Sequence, residues 1–199
     1  MGATCSAASS RAPSGARVSL QVGFIAVGIA LVIGGMLGAT AGYYGGWIDN
    51  GIMRVMDVLL SIPQTLLAIA IVAALGANLM NLMIAVGVSA VPTYARIVRG
   101  SVLSIRGMEF VEAARSVGSS DLRIILKHII PNSMAPIIVQ STLGVASAIL
   151  NAAGLSFIGL GIQPPNPEWG AMLSQSRNYL ATAPHLVLFP GLLIFLTVL

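Results

Sequence analysis

Apolar residues fall into five long runs separated by shorter polar stretches. The first goes from Val18 to Ala41 and is broken, among polar side chains, only by Ser19, Gln21 and Thr40. As a helix it would rise about 36 Å, enough to cross a hydrocarbon core of about 30 Å. Three more run from Val58 to Leu75, Leu79 to Ala95 and Met134 to Ala153, and a fifth, Leu186 to Leu199, is still apolar where the sequence stops. The pattern predicts an all-α polytopic membrane protein with five helices, the last cut short. Ala26, Ala30, Gly34, Gly38 and Gly42 recur every four residues along the first run, and Gly144, Ala148 and Ala152 repeat the device in the fourth. Such ridges let helix backbones approach closely, either within one chain or along a dimer seam. Pro63, Pro92, Pro136 and Pro190 lie in or beside the spans, where prolines kink helices and free carbonyls.

The connection between the third and fourth runs has a pattern of its own. Phe110, Ala113, Ala114 and Val117 form an apolar stripe at helical spacing, with Arg106, Glu109, Glu112 and Ser116 towards the other side. Gly118 follows, where a left-handed residue ends a helix at least cost. Ser119 or Ser120 can cap a second helix with Asp121 in its first turn. Leu122, Ile125, Leu126 and Ile129 give that helix an apolar face, and Pro131 is expected to close it. Helix, glycine corner and helix make either an amphipathic hairpin lying on the membrane or a docking element for a groove in a partner.

Composition makes lipid the main solvent. Hydrophobic residues are 56% of the chain, charged ones 8%, and mean hydropathy is +0.92, whereas a soluble domain carries about 25% charge. The formal charge of +4 reflects few cations, placed between apolar runs, so orientation in a bilayer explains them better than nucleic acid does. Arg96, Arg99, Arg106, Arg115, Arg123 and Lys127, six of the ten cations, lie in one connection, which the positive-inside rule places in the cytoplasm. Alternation then puts Ala153–His185 outside, Tyr43–Asp57 inside and the N-terminal flank outside. An outside flank without a signal peptide suggests an earlier helix missing from the sequence. Residues 1–16 read as a polar, disordered flank, and Met1 to Ser6 loosely fits a myristoylation pattern from which a polytopic protein gains little. The lone Cys5 excludes an internal disulfide and a cysteine metal site.

Glu112-Ala113-Ala114, three residues, Gly118, then Ile130-Pro131 resembles the EAA loop of ABC importer permeases. Tyr94-Ala95-Arg96-Ile97-Val98-Arg99-Gly100-Ser101 and Ile130-Pro131-Asn132 with Ala135-Pro136 resemble the dipeptide, oligopeptide and nickel branch. So do Gly15-Ala16-Arg17-Val18-Ser19-Leu20, Ala41-Gly42-Tyr43-Tyr44-Gly45-Gly46, and Gly154-Leu155-Ser156-Phe157-Ile158-Gly159-Leu160-Gly161 with Pro164-Pro165 and Trp169-Gly170. The triplet alone is a weak signal, but the set, covering residues 9–199, is specific. Two positions depart from the pattern: His128 stands where the family often has isoleucine, and Ile130 where it has leucine.

The resemblance implies a type I ABC importer transmembrane domain over residues 17–199, with five helices of an expected six, a coupling loop at 104–131 and an incomplete C-terminal end. It implies that Glu112, Ala113, Ala114, Gly118, Ile130 and Pro131 form the ATPase-coupling element, within which Glu112 either pairs with a basic group of the ATPase or stays a solvated helix carboxylate. Partners would be cytoplasmic ATPase subunits, a second homologous permease, an extracytoplasmic solute-binding protein and the lipid bilayer of a prokaryotic inner membrane. The chain itself would be no enzyme and hold no cofactor, ATP being bound by the partner. Closure of the ATPase pair would push the hairpin and switch the pathway between inward and outward openings. The motifs do not distinguish peptide from nickel as cargo.

Other chemistries find little support in the residues. No Gly-Lys-Ser/Thr phosphate loop occurs, and the only lysine, Lys127, follows Leu126. Arg54 and Asp57, one turn apart, read as a local pair. His128 and His185 fall on opposite sides of the membrane, so no metal site is expected. Glu168 and Trp169 belong to the external segment, as pore entrance, binding-protein contact or packing of a cap. A secondary transporter or channel would carry ionisable groups mid-span, and an intramembrane enzyme would need a nucleophile with its base.

Overall fold

The structure is a computed structural model that describes residues 2–161, 168–176, 179 and 183–198, with side chains from residue 15 onward. The elements are α1 (Gly2–Tyr44), α2 (Gly46–Leu60), α3 (Gln64–Leu75), α4 (Leu79–Ile105) and α5 (Glu109–Ser116). After α6 (Asp121–Ile124), a π-helical turn (Ile125–Ile129) and α7 (Ile130–Asn132) come α8 (Met134–Phe157), α9 (Trp169–Ser176) and α10 (His185–Val198). Three helices are long and apolar enough to cross a membrane, Gly15–Tyr44, Leu79–Ile105 and Met134–Phe157, and α2 with α3 makes a bent fourth candidate.

Three expectations change here. Residues 2–16 continue α1 instead of forming a disordered flank; alanines are frequent there, and alanine is the best helix former. The run Val58 to Leu75 is not one continuous helix: it breaks at Ser61-Ile62-Pro63, where the residue before proline is steered out of the helical region, and α2 and α3 meet at 86° as a broken span or a re-entrant loop. The connection Tyr43–Asp57 is largely α2, with Asp49, Ile52, Met53, Met56 and Leu59 turned inward. The fifth apolar run forms α10, a 14-residue helix that is shorter than the three crossing candidates.

The chain divides into two compact units, and α1, α4 and α8 each run through both. One comprises residues up to Val27, Thr65–Val88 and the residues from Gly144 on. In it, the space a Cβ on Gly23 would take lies 3.1 Å from Val145 and Ile149, so α1 and α8 touch. Trp169 and Ile194 bury against Ala153, and the Ser174 hydroxyl donates to the Phe157 carbonyl at 2.9 Å. Glu168 precedes α9, and its carboxylate accepts the Ala171 N–H at 3.0 Å, an acid at a helix start with a free amide to accept.

The other unit comprises Gly28–Gln64 and Ser89–Leu143. Here the small-residue ridge finds its partner within the chain. A Cβ on Gly34 would lie 2.7 Å from the Val91 carbonyl, one on Gly38 would strike the Ala95 carbonyl, and one on Gly42 would lie 2.8 Å from Val102. Ala30, on the same ridge, is buried as well. The ridge therefore packs helices of one chain and is not an open dimer seam.

Candidate coupling site

The hairpin expected between the third and fourth runs is present in the second unit, with a different face inward. α5 carries Glu109 and Glu112 in its first turn and Arg115 in its last, the charge order that complements a helix dipole. Val111 is fully buried and Ala114 packs beside it, on a cluster with Tyr43, Val98, Val102, Ile105 and Ile124. Phe110, Ala113 and Val117 are exposed, Val117 to 86%. Of the expected stripe only Ala114 turns towards the bundle, while Phe110, Ala113 and Val117 lie outside the face that Val111 buries. One buried valine anchors this two-turn helix, which sequence hydrophobicity alone does not single out.

Gly118 has φ 80°, a conformation that costs other residues about 1–2 kcal/mol. Its N–H donates to the Arg115 carbonyl at 2.9 Å and that of Ser119 to the Ala114 carbonyl at 3.1 Å, the paired bonds of a Schellman ending. Ser120 takes the N-cap position of α6 with extended backbone, yet its side chain makes no capping bond. The Asp121 carboxylate instead accepts the Tyr43 hydroxyl at 2.6 Å.

Beyond α6 the π-helical turn adds a residue to the helical cycle. Ile124, Ile125 and Ile129 therefore point inward, whereas Leu122 and Leu126 are 68% and 57% exposed. Pro131 does not close the helix as expected. It falls in the first turn of α7, where a missing N–H is tolerated, and the chain continues into α8 past Ser133. Ile130 is half-buried against the apolar cluster, while Glu112 and Pro131 are exposed.

Charges between α2 and α4 pair across helices. Arg99 donates to both carboxylate oxygens of the buried Asp49, at 2.5 and 2.6 Å. Arg96 donates to Asp57 at 2.7 Å, which replaces the local Arg54–Asp57 pair inferred from spacing. Sequence reasoning missed the Asp49–Arg99 pair because the partners are 50 residues apart. Asp49 in an otherwise apolar inner face of α2 was the available signal. Arg106, at the end of α4, donates to the Gly42 and Tyr43 carbonyls at 3.0 and 3.4 Å. A cleft of about 480 Å³ opens among Tyr43, Tyr44, Arg106, Glu112, Arg115 and Asp121. Among the described residues, no three His, Cys, Asp or Glu side chains cluster as a metal site would require.

Apolar helices long enough to span a bilayer, with a corner-turned amphipathic hairpin between two of them, define a multi-pass membrane protein with the fold of an ABC importer transmembrane domain. Two solved chains of the MetNI methionine ABC transporter, in inward-facing conformations, share that fold. One has a TM-score of 0.76 at 21% identity, covering 92% of this chain and 88% of that one. The other scores 0.73 at 20% identity, covering 92% and 89%. The chain belongs to the family described as binding-protein-dependent transport system inner membrane component, which matches residues 24–199. It is 57% identical over 185 residues to the dipeptide transport system permease protein DppC of Alkalihalophilus pseudofirmus, covering 93% of this chain and 61% of that protein. It is 47% identical over 190 residues to the glutathione transport system permease protein GsiD of Pectobacterium atrosepticum, covering 96% and 63%. The chain thus spans less than two thirds of the length of these relatives.

Proposed function

We propose that this chain is the permease subunit of an ATP-driven importer in a prokaryotic inner membrane. It forms part of the path for a peptide or related small solute and is driven by a separate ATPase that grips the α5–α6 hairpin. One observation carries this reading: the hairpin is anchored by Val111, Ile124, Ile125 and Ile129 and leaves a second apolar set, Phe110, Ala113 and Val117, exposed among the described residues. A short rigid helix with an outward apolar face suits a partner groove. The six cations between Arg96 and Lys127 favour the cytoplasmic side for residues 96–133, where an ATPase would be. Glu112 and Pro131, both exposed, and Ala113 lie on the surface such a partner would cover. Ala114, Gly118 and Ile130 serve the hairpin's shape and anchorage. The family's description supports a solute-binding protein as partner, a second permease chain completes the proposal, and the names of the relatives favour small peptides as cargo.

Gly118→Val tests the reading, because a β-branched residue at φ 80° opens the corner between the two helices. The variant is expected to reach the membrane in normal amount and to lose most of the ATPase that co-purifies with the unaltered chain. Equal ATPase recovery from both would overturn the proposal, as would solute uptake by the purified chain without nucleotide.

A further inference from the structure

The Gly42-Tyr43-Tyr44-Gly45-Gly46 segment has a geometric role at nearly every position. Gly42 lets the last turn of α1 touch α4, since a Cβ there would also lie 3.0 Å from the Arg99 carbonyl. Gly45 and Gly46, at φ 68° and 54°, allow α2 to begin immediately after α1. Arg106 occupies the carbonyls that the end of α1 leaves unpaired.

Tyr43 is what the segment presents to the hairpin. It is 6% exposed and belongs to the apolar cluster under α5 and α6. Its hydroxyl donates to Asp121, which opens α6, at 2.6 Å. The Arg115 guanidinium, from the last turn of α5, stands 5.7 Å from the centre of its ring, with Nη2 3.5 Å from the hydroxyl oxygen. One phenol therefore holds both arms of the hairpin, on either side of Gly118. The surrounding apolar contacts are non-directional and tolerate sliding. A hydrogen bond to a carboxylate is directional and stronger than a neutral one, so it fixes a single register between hairpin and helix.

We propose that Tyr43 is the positioning residue that transmits displacement of the hairpin to α1, with Asp121 and Arg115 as its two grips. This assignment rests on the hairpin being the ATPase contact. Tyr43 itself is buried and does not touch the ATPase, so its loss uncouples the machine without dismantling it.

The test uses the whole reconstituted transporter with its ATPase and binding protein, measuring ATPase co-purification and solute moved per ATP hydrolysed. Tyr43→Phe keeps the ring beside Arg115 but removes the hydroxyl, and with it the bond to Asp121 and the weaker one from Arg115. The expected result is ATPase recovery at the unaltered level with solute moved per ATP falling about tenfold, the scale of one hydrogen bond to a charged group. Asp121→Ala, at an exposed position that does not threaten folding, removes the acceptor and should lower the ratio similarly, and the double variant should be no worse than Tyr43→Phe alone. A merely structural tyrosine would lower recovery and leave the ratio unchanged. An unaltered ratio in Tyr43→Phe, or losses that multiply in the double variant, would overturn this assignment alone. An unaltered chain that recruits no ATPase would overturn both the assignment and the reading beneath it.

Discussion

Glu168 sits where little water reaches it. Burial pushes its carboxyl above the usual carboxylate range. The Ser156 hydroxyl, which lies near without meeting hydrogen-bond geometry, and the amides of Ala171 and Gly170 oppose that only in part. A group whose folded pKa is raised binds its proton more tightly when folded. Its contribution to stability is therefore complete below the unfolded pKa and is lost as pH rises through the folded one. The thermal midpoint in detergent is expected to fall as pH is raised from about 4 through that interval. Glu168→Gln, which keeps an acceptor for the Ala171 N–H, should flatten the profile, and parallel profiles would refute the account. At this scale the sequence was only partly legible. Gly118 could be assigned its left-handed corner because few residues other than glycine fit one. Asp57 was given the wrong arginine, since spacing reveals neighbours along a helix and not across two. Tyr43 stood in a quoted motif, but its partners lie 72 and 78 residues away.

Helix contacts followed the spacing of small residues more faithfully. The four-residue ridge of α1 was visible in the sequence, and the structure supplies its partner, α4. That division of labour gives a test with opposite signs. Gly38→Ala places a Cβ against the Ala95 carbonyl and 3.0 Å from Val98, overpacking that costs about 1–3 kcal/mol. Gly28→Ala meets nothing within 4 Å and should gain up to about 1 kcal/mol from helix propensity. Thermal unfolding in detergent should move down for the first and up, or not at all, for the second. A shift in the same direction for both would show that α1 does not pack through this ridge. Periodicity failed where the helical cycle itself changes. The π-helical turn moves Ile124 inward and Leu122 outward, and no hydrophobic pattern with a constant period can show that. Pro63 was recognised as a possible kink, yet the apolar run around it was still read as one unbroken helix.

Across the whole molecule, hydropathy and cation placement were enough to identify a multi-pass protein, and the motifs were specific enough to identify its family. The count of spans was less secure, because a broken helix pair and a 14-residue apolar helix do not declare themselves as crossings. Orientation has a direct check. With Cys5 replaced, a cysteine at the exposed Val117 should react with an impermeant thiol reagent in inside-out vesicles and remain unmodified in intact cells. Labelling from the cell exterior would invert the orientation and remove the hairpin from any cytoplasmic partner. The π-helical turn bears on how such a protein can change over evolutionary time. Each residue of an α-helix turns the chain by about 100°, so the surplus residue sets the compass bearing of everything upstream as far as Gly118. Exchanging one side chain for another between Ile125 and Ile129 leaves that bearing intact, whereas deleting a single codon there would swing the handle round to a new heading.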